Sequence, residues 1–227
     1  MLSAHEPRSE AELLDRARAL AGRTVAELAD ACGRALPADP RRAKGFVGGL
    51  VEQALAVAPT PGAAGPDLPA LGIEVKTIPL DVSGRPREST FVCTLPLGRL
   101  ERERWETSAV RTKLARVLWV PIETRAEVAW TARRVGAAWL WSPDGRDEAT
   151  LRTDWEGAQA LVARGGVDAL DARRGVALQV RPKARDGRAR VRAPGEDEAP
   201  TATMPRGFYL RASFTAAIVR ACYPGLR

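Results

Sequence analysis

The chain of 227 residues is poor in the side chains that usually hold transition metals or cross-link small secreted domains. It contains one histidine, His5, and three isolated cysteines, Cys32, Cys93 and Cys222. These residues cannot by themselves supply a zinc cluster or a disulfide framework, so we expect the cysteines to be small apolar packing residues. Any bound metal should therefore have oxygen ligands, which favours Mg²⁺ or Mn²⁺. Any catalytic base should be a carboxylate, a lysine or a bound water.

Long apolar runs are also lacking. No stretch approaches the roughly 20 apolar residues that a membrane-spanning helix needs, and the opening segment MLSAHEPRSE contains no apolar run of the signal-peptide type. The chain is 45% hydrophobic and 28% charged, and with this composition and length it can bury a substantial core. We therefore expect a soluble cytoplasmic protein that does not bind to a membrane.

Lysine is scarce, since only four of the 35 basic residues are lysines: Lys44, Lys76, Lys113 and Lys183. Arginine and lysine are not interchangeable, because the ammonium group is compact and titratable whereas the guanidinium group is planar. The four lysines are therefore candidates for positions at which a compact positive charge is needed.

Positive charge is concentrated towards the C-terminus. Residues 1–163 carry 22 basic and 22 acidic side chains, whereas residues 164–227 carry 13 basic and 6 acidic side chains. The net charge of +7 therefore comes from the last quarter of the chain. Such an asymmetry favours a face that binds a polyanion, most often a nucleic acid. The alternative is a solvated surface in a protein with a general arginine bias.

Two capping boxes predict helices near the N-terminus. Ser9 with Glu12 and Thr24 with Glu27 have the required spacing, and each pair precedes apolar residues at helical intervals. A third helix is predicted at 44–57, where the apolar residues largely share one face.

The period of the apolar residues changes to two from Ile73 onward, which predicts a strand at 73–80. A turn at 81–88 and a second strand at 89–95 complete a predicted β-hairpin. With the other segments, the pattern predicts a mixed α/β fold with one sheet of about five strands. Those other segments are helices at 107–115, 146–165 and 213–223, strands at 116–123, 137–141 and 176–182, and a polar loop at 183–205.

The segment from Asp67 to Lys76 carries the strongest chemical signal in the chain. Alternation along a strand puts Glu74 and Lys76 on the same face, and the preceding loop delivers Asp67 to them. Two carboxylates suit a hard cation, which can share its remaining sites with water and a phosphate. A neighbouring ammonium can assist an attacking water or stabilise the phosphate as it reacts. Glu52, on the preceding helix, could supply a third oxygen or orient a water.

The same residues also have a simpler interpretation. Glu74 and Lys76 could form only a same-face ion pair on the strand, and Glu52 could be a solvated charge on a helix. The basic segment at 181–192 could likewise be a solvated loop, and Tyr209 could be a packing residue. Spacing alone does not decide between these interpretations and a catalytic site.

Six longer segments of the chain carry a specific resemblance: KGFVGGLVE, PDLPALGIEVKTIPLDVSGRPRESTFVC, WETSAVRTKLARVLWVPIE, AWLWSP, LQVRPKA and MPRGFYL. They resemble the MutH family of DNA mismatch repair endonucleases, in the restriction-endonuclease-like PD-(D/E)xK superfamily. The resemblance implies a single domain over residues 1–227 with a mixed β-sheet flanked by helices, in which two lobes form a DNA-binding cleft. The catalytic lobe is expected at about 9–105 and the DNA-recognition lobe at about 106–227.

The resemblance also implies roles for individual residues. Glu52, Asp67 and Glu74 correspond to the metal-binding acids of the family, and Lys76 corresponds to its catalytic lysine. Mg²⁺ is the implied cofactor, and we expect Mn²⁺ to substitute for it. The remaining positions are implied to contact DNA: Lys44 and Lys113 near the catalytic cleft, Arg181, Pro182 and Lys183 in the loop that recognises GATC in the major groove, and Tyr209 as the residue that senses adenine methylation.

The implied activity is hydrolysis of a phosphodiester in duplex DNA, as a nick in the unmethylated strand of a hemimethylated GATC site. The resemblance further implies activation by a MutL-type protein together with MutS, and we expect the chain to act as a monomer. Two other functions stay open at this point. One is a stand-alone GATC-specific type II restriction endonuclease, and the other is a catalytically inactive module that only binds duplex DNA.

Overall fold

The computed structural model describes residues 5–39, 43–58, 64–183, 189–194 and 201–223. The α-helices of this part of the chain are α1 (Glu10–Leu20), α2 (Val25–Ala31), α3 (Ala43–Ala54), α4 (Ala109–Leu114), α5 (Gly145–Ala163) and α6 (Ala212–Cys222). The strands are β1 (Glu74–Leu80), β2 (Thr90–Thr94), β3 (Val117–Glu123), β4 (Trp139–Trp141), β5 (Leu178–Pro182), β6 (Val191–Ala193), β7 (Thr201–Thr203) and β8 (Arg206–Leu210). None of the helices described is long and apolar enough to cross a membrane.

The chain folds into two compact units, each built from separate segments. The first unit comprises Met1–Arg87, Ala115–Ser142 and Ala216–Arg227, and the second comprises Glu88–Leu114 and Pro143–Thr215. These units do not follow the predicted lobe boundary near residue 105. The reason is that β3 comes after that boundary in the sequence and yet pairs with β1 in the first unit.

The first unit is built on a three-stranded sheet in the order β1-β3-β4. β1 is an edge strand that runs parallel to β3, with Glu74 opposite Val117 and Leu80 opposite Glu123. β3 lies between two neighbours, and six of its seven residues are buried. α1, α2 and α3 pack their apolar residues on this sheet because that contact removes their apolar faces from water. The core includes Leu13, Leu20, Leu28, Leu50, Leu55, Val75, Leu118 and Val120.

The helix caps predicted from the sequence are present. The Ser9 hydroxyl accepts a hydrogen bond from the Glu12 backbone amide at 3.2 Å. Thr24 and Glu27 form a reciprocal capping box, in which each side chain bonds the other residue's backbone amide. These bonds satisfy amides that have no partner inside the helix, which explains why α1 and α2 begin where they do. The predicted third helix is confirmed as α3.

The predicted β-hairpin between β1 and β2 is wrong. The turn itself forms, since the Asp81 carboxylate accepts a hydrogen bond from the Arg85 backbone amide at 3.0 Å. β2, however, pairs with β8 in the second unit. The outer edge of β1 offers few donors for a hairpin partner, because the Val75 amide is bound by Asp67 and Pro79 has no N–H.

The second unit contains a three-stranded antiparallel sheet in the order β2-β8-β5 and a two-stranded sheet of β6 and β7. The sequence patterns do not predict the central strand β8, and they predict a loop where β6 and β7 form. The prediction of one sheet with about five strands is therefore wrong, because the strands divide between separate sheets. The mixed α/β class with helices flanking the sheets is confirmed.

Helix α5 fixes the start of β5. Asp154 on this helix accepts hydrogen bonds through its Oδ2 atom from the backbone amides of Val176, Ala177 and Leu178 at 2.7–2.9 Å. Gly175 precedes them with a φ of +81°, and a Cβ atom there would lie 2.0 Å from the Leu178 carbonyl oxygen. Only glycine fits at this close approach, so the entry into β5 is held in one conformation.

Candidate active site

The start of β1 carries the charged pair that the sequence singles out. Glu74 and Lys76 share a face of the strand, and the Lys76 Nζ atom donates a hydrogen bond to Glu74 Oε1. The Glu74 side chain is 1% exposed and that of Lys76 is 15% exposed. Removing a charge from water is costly unless an opposite charge compensates it. The two side chains therefore hold each other in place in a largely water-free position.

The loop before β1 closes on itself. Leu68 and Ile73 pair through two backbone hydrogen bonds of 2.8 and 3.2 Å. Gly72 completes the turn with a φ of +67°, a conformation that glycine adopts without a steric penalty. This closed turn explains the spacing of six residues between Asp67 and the acid at the start of β1.

Asp67 is consequently brought alongside the strand. Its Oδ2 atom accepts a hydrogen bond of 2.9 Å from the backbone amide of Val75, the residue between Glu74 and Lys76. The three predicted residues Asp67, Glu74 and Lys76 thus come together within the first unit. The ion pair of Glu74 and Lys76 thus lies on the same strand to which the Asp67 carboxylate is bound.

Glu52 lies on α3, which runs next to β1. A Cβ atom on Gly48 would lie 3.8 Å from the Thr77 Oγ1 atom, so this face of α3 is directed at β1. Glu52 follows one helical turn later on the same face. Within the part of the chain that the structure describes, no three His, Cys, Asp or Glu side chains form a metal-binding group. Glu52, Asp67 and Glu74 therefore do not form one three-carboxylate cluster, and Glu52 lies on the helix that runs next to β1.

The donor set of this site fits a magnesium ion. Mg²⁺ is usually held by one or two carboxylates and keeps several waters or substrate phosphates, so it does not require a complete protein cage. Asp67 and Glu74 supply carboxylate oxygens, the type of ligand that this ion prefers. The hydrogen bond from Val75 engages only one of the two Asp67 oxygens.

The two other lysines predicted near the site lie in different units. Lys44 is in the first turn of α3, and its side chain is outside what the structure describes. Lys113 is in α4 of the second unit and is 9% exposed. The N-terminus of that helix is capped by Ser108, whose hydroxyl accepts a hydrogen bond from the Arg111 amide at 3.2 Å. Lys113 is therefore a buried, fixed cation and not a mobile surface charge.

The predicted DNA-contacting residues of β5 and β8 share one face of the second sheet. Gln179 lies opposite Tyr209, which in turn lies opposite Phe91 on β2, and alternation adds Arg181 to the same face. Lys183 follows β5, with its Nζ atom above the Phe91 ring. We call these five residues the basic face. The opposite face of the sheet is apolar and buried through Leu178, Val180, Phe208 and Leu210.

Aromatic rings organise the two cations of the basic face. The rings of Phe91 and Tyr209 meet edge to face with centroids 5.3 Å apart. The Arg181 guanidinium lies 5.8 Å from the Tyr209 centroid, and the Lys183 Nζ atom lies 2.7 Å from the Phe91 centroid. Cation–π attraction at such distances favours these positions. Pro182, the last residue of β5, connects the two cationic residues on an exposed stretch of backbone.

Tyr209 keeps its proton at neutral pH. Burial raises the pKa of its hydroxyl above the usual tyrosine range, and the positive charge of Arg181 acts in the opposite direction. A neutral phenol can both donate and accept a hydrogen bond. Tyr209 can therefore offer a donor to a ligand at the basic face.

Sequence reasoning missed Phe91 and Ser89. Phe91 contributes a ring to the basic face, and the Ser89 hydroxyl accepts a hydrogen bond from Arg181 Nη1 at 2.7 Å. Both residues belong to the segment that forms β2 or precedes it, about 90 positions away from Arg181 in the sequence. Only the pairing of β2 and β5 with the central strand β8 brings these two residues close to Arg181. No local sequence pattern predicts that pairing.

Comparisons with known proteins identify the family. The family model described as "DNA mismatch repair enzyme MutH" matches residues 58–154. The DNA mismatch repair protein MutH of Vibrio parahaemolyticus is 47% identical over 218 residues, which is 96% of this chain and 96% of that protein. The chain belongs to the MutH family. The MutH proteins of Serratia proteamaculans and Pectobacterium atrosepticum are each 46% identical over 213 residues, covering 94% of this chain and 93% and 92% of those proteins.

The MutH matches cover the acidic group at the start of β1 and also the basic face of the second unit. The family model spans Asp67, Glu74, Lys76 and Lys113, but it ends before the strands that carry most of the basic face. The MutH relatives match nearly the whole chain, and so they extend over both units. The resemblance inferred from the sequence segments is thereby confirmed.

Proposed function

We propose that this MutH-family protein is a Mg²⁺-dependent endonuclease that nicks the unmethylated strand of hemimethylated GATC sites in DNA mismatch repair. The observation that carries the proposal is the convergence of Asp67, Glu74 and Lys76 at the start of β1. Carboxylates and a nearby ammonium are side chains that metal-assisted phosphodiester hydrolysis uses. The relatives that match nearly the full chain are named as DNA mismatch repair proteins, which supports the biological role.

The proposed catalytic residues would have different roles in the reaction. Asp67 and Glu74 would hold Mg²⁺, and Glu52 would supply a third oxygen or orient a water. When bound, the ion would neutralise negative charge on the scissile phosphate. Lys76 is kept beside this position by its hydrogen bond to Glu74. Its ammonium can stabilise the charge that develops on the phosphate, or assist removal of a proton from the attacking water.

The basic face would bind the recognition sequence. Arg181 can donate two parallel hydrogen bonds to guanine O6 and N7, while Lys183 can contact a phosphate or a guanine acceptor. Pro182, which is exposed, lies between them in the sequence. The neutral hydroxyl of Tyr209 suits detection of the adenine N6 position, because methylation there adds bulk and removes one donor. Lys44 would contribute phosphate contacts, which depend on salt concentration, whereas the buried Lys113 would have a supporting role.

We further propose that the protein acts as a monomer in the cytoplasm and is activated by a MutL-type protein together with MutS. One catalytic group in each chain fits a nick better than a double-strand break, since cleavage of two strands needs two groups or two separate events. The MutH relatives come from bacteria, and bacterial chromosomal DNA lies in the cytoplasm.

The test is nicking of supercoiled plasmid DNA in Mg²⁺ or Mn²⁺, with and without a MutL-type protein. The substrates are unmethylated, hemimethylated and fully methylated at GATC. We expect nicks in the first two and none in the third. Lys76→Ala should reduce nicking by at least about 100-fold while DNA affinity stays nearly unchanged. Arg18→Ala is the matched control, because it removes an exposed ion pair, of 2.6 Å with Asp15, elsewhere in the first unit.

The other outcomes distinguish the two alternative functions. Complete double-strand cleavage of unmodified DNA without an activator would support a stand-alone restriction endonuclease. Salt-dependent DNA binding with no metal-dependent nicks would support a module that only binds DNA. Full nicking by Lys76→Ala would contradict the assigned active site. The names of the relatives favour the repair function over both alternatives.

A further inference from the structure

Ser89 contacts Arg181 across the second sheet. Its hydroxyl accepts a hydrogen bond from Arg181 Nη1 at 2.7 Å, and Ser89 is 9% exposed. Ser89 directly precedes β2, whereas Arg181 is on β5, and β8 lies between these two strands. The Arg181 side chain therefore extends across the sheet instead of projecting straight away from it.

Three strands together determine the orientation of the guanidinium. The Arg181 backbone is fixed in β5, the Tyr209 ring on β8 lies 5.8 Å from the guanidinium carbon, and Ser89 engages one nitrogen at the far end. Arginine has many rotamers in solution, and each added contact reduces their number. The guanidinium carries five N–H donors in a planar fork, so a single bond to Ser89 leaves four for another acceptor.

We propose that Ser89 is a positioning residue for Arg181. It holds the guanidinium before DNA binds, in the orientation in which the remaining N–H groups meet the edge of a guanine. This inference rests on the function proposed above, in which Arg181 contacts the GATC site. Ser89 is itself nearly buried, so it acts through Arg181 and not by touching DNA. Because its hydroxyl is neutral, it contributes to sequence preference and not to general attraction for phosphates.

The experiment compares kcat/KM for nicking of a GATC duplex with kcat/KM for a duplex in which A·T replaces one of its two G·C pairs. Ser89→Ala should lower this ratio about fivefold to tenfold, the effect expected of one hydrogen bond. The slope of DNA affinity against salt concentration should stay the same, because no phosphate contact is lost. A merely structural role would lower the activity on both duplexes together.

Matched variants separate the effect of the Ser89 hydroxyl from the effect of side-chain size. Ser89→Thr keeps the hydroxyl and should retain the wild-type ratio, whereas Ser89→Val has the same shape without it and should behave like Ser89→Ala. If Ser89→Ala does not fold, the comparison of Ser89→Thr with Ser89→Val still tests the role of the hydroxyl. Ser142→Ala is the control in the first unit, where the Ser142 hydroxyl accepts a hydrogen bond from Arg116 at 3.4 Å. It should leave the ratio unchanged.

Three results would overturn the positioning role. They are an unchanged ratio in Ser89→Ala, an increase in activity on GATC, and a full additional loss when Ser89→Ala is combined with Arg181→Ala. Residues that act as one unit lose little more when both are removed, so the last result would mean independent roles. A wild-type enzyme without any GATC preference would contradict the proposed function itself, and that result is recognisable before any Ser89 variant is measured.

Discussion

The Val75 backbone amide donates a hydrogen bond of 2.9 Å to the Asp67 carboxylate, on the side of β1 away from β3. The amide of the preceding residue, Glu74, points the other way and bonds the Arg116 carbonyl next to β3 at 3.0 Å. An acidic side chain thus satisfies an edge-strand donor that would otherwise be open to another strand. The same contact fixes one candidate metal ligand directly beside the other.

Asp67→Asn should separate the structural contribution of this residue from its chemical one. The amide oxygen of asparagine can still accept the hydrogen bond from Val75, so we expect a change of less than about 1 kcal/mol in the free energy of unfolding. Loss of the negative charge should lower nicking by about 100-fold to 1000-fold. Urea unfolding and plasmid nicking measure the two effects. Asp81→Asn alters a turn aspartate of the same unit and should retain activity. A large loss of stability in Asp67→Asn would contradict this division.

Removing Lys76 should destabilise the protein through the buried carboxylate of Glu74. In Lys76→Met, Glu74 loses a charged hydrogen-bond partner at a position that is 1% exposed. We expect a cost of about 1.5–3 kcal/mol in the free energy of unfolding. The double variant Glu74→Gln with Lys76→Met should recover part of that loss, because both charges are gone. It should remain inactive. If the double variant is less stable than Lys76→Met, the unpaired charge of Glu74 is not the cause of the loss in the free energy of unfolding.

Gly207→Ala should disturb the basic face. A Cβ atom at Gly207 would lie 2.8 Å from Phe91 Cε2 and 3.1 Å from the Cys93 carbonyl oxygen, so the ring or the strand must move. We expect a loss of about 1–3 kcal/mol in the free energy of unfolding, with weaker binding to GATC duplexes. Gly157→Ala is the control, since a Cβ atom there meets nothing within 4 Å. It lies in the middle of α5 and should be neutral or slightly stabilising. Equal effects of the two substitutions would contradict the steric argument.

The pair of Glu10 and Arg116 should make stability depend on pH. The hydrogen bond from Arg116 lowers the pKa of Glu10 below its usual range, against a smaller opposing effect of burial. A lowered folded-state pKa stabilises the protein above the unfolded pKa, and this contribution is lost as the pH falls through the folded pKa. The Glu10 side chain is 45% exposed, so the pair should contribute only about 0.5–1 kcal/mol.

The measurement is urea unfolding of the wild type and Glu10→Gln at pH 7, 5 and 3.5. We expect the wild type to be more stable at pH 7 and the difference to shrink below about pH 4. High salt should also reduce the difference at pH 7, because the pair is open to solvent. A difference that stays constant across this range would mean that the charge of Glu10 is not responsible.

The elements that depend on neighbouring residues in the chain can be predicted from the amino-acid sequence alone. The caps at Ser9 and Thr24 stabilise helix ends within four residues, and alternation near Ile73 predicts β1 from its own composition. The candidate catalytic group of Asp67, Glu74 and Lys76 can be predicted from the sequence for the same reason. The spacing from Asp67 to Lys76 spans one closed turn and one strand, so local geometry alone brings these residues together.

The pairing of the strands, in contrast, can be read only from the folded chain. β1 takes β3 as its partner instead of the nearby β2, and β2 pairs with β8 from the end of the chain. Pairing of this kind depends on burial and on edge donors that are distant in sequence, so a local pattern cannot specify it. The contact between Ser89 and Arg181 follows from that pairing, because the two residues meet only after β8 has inserted between their strands.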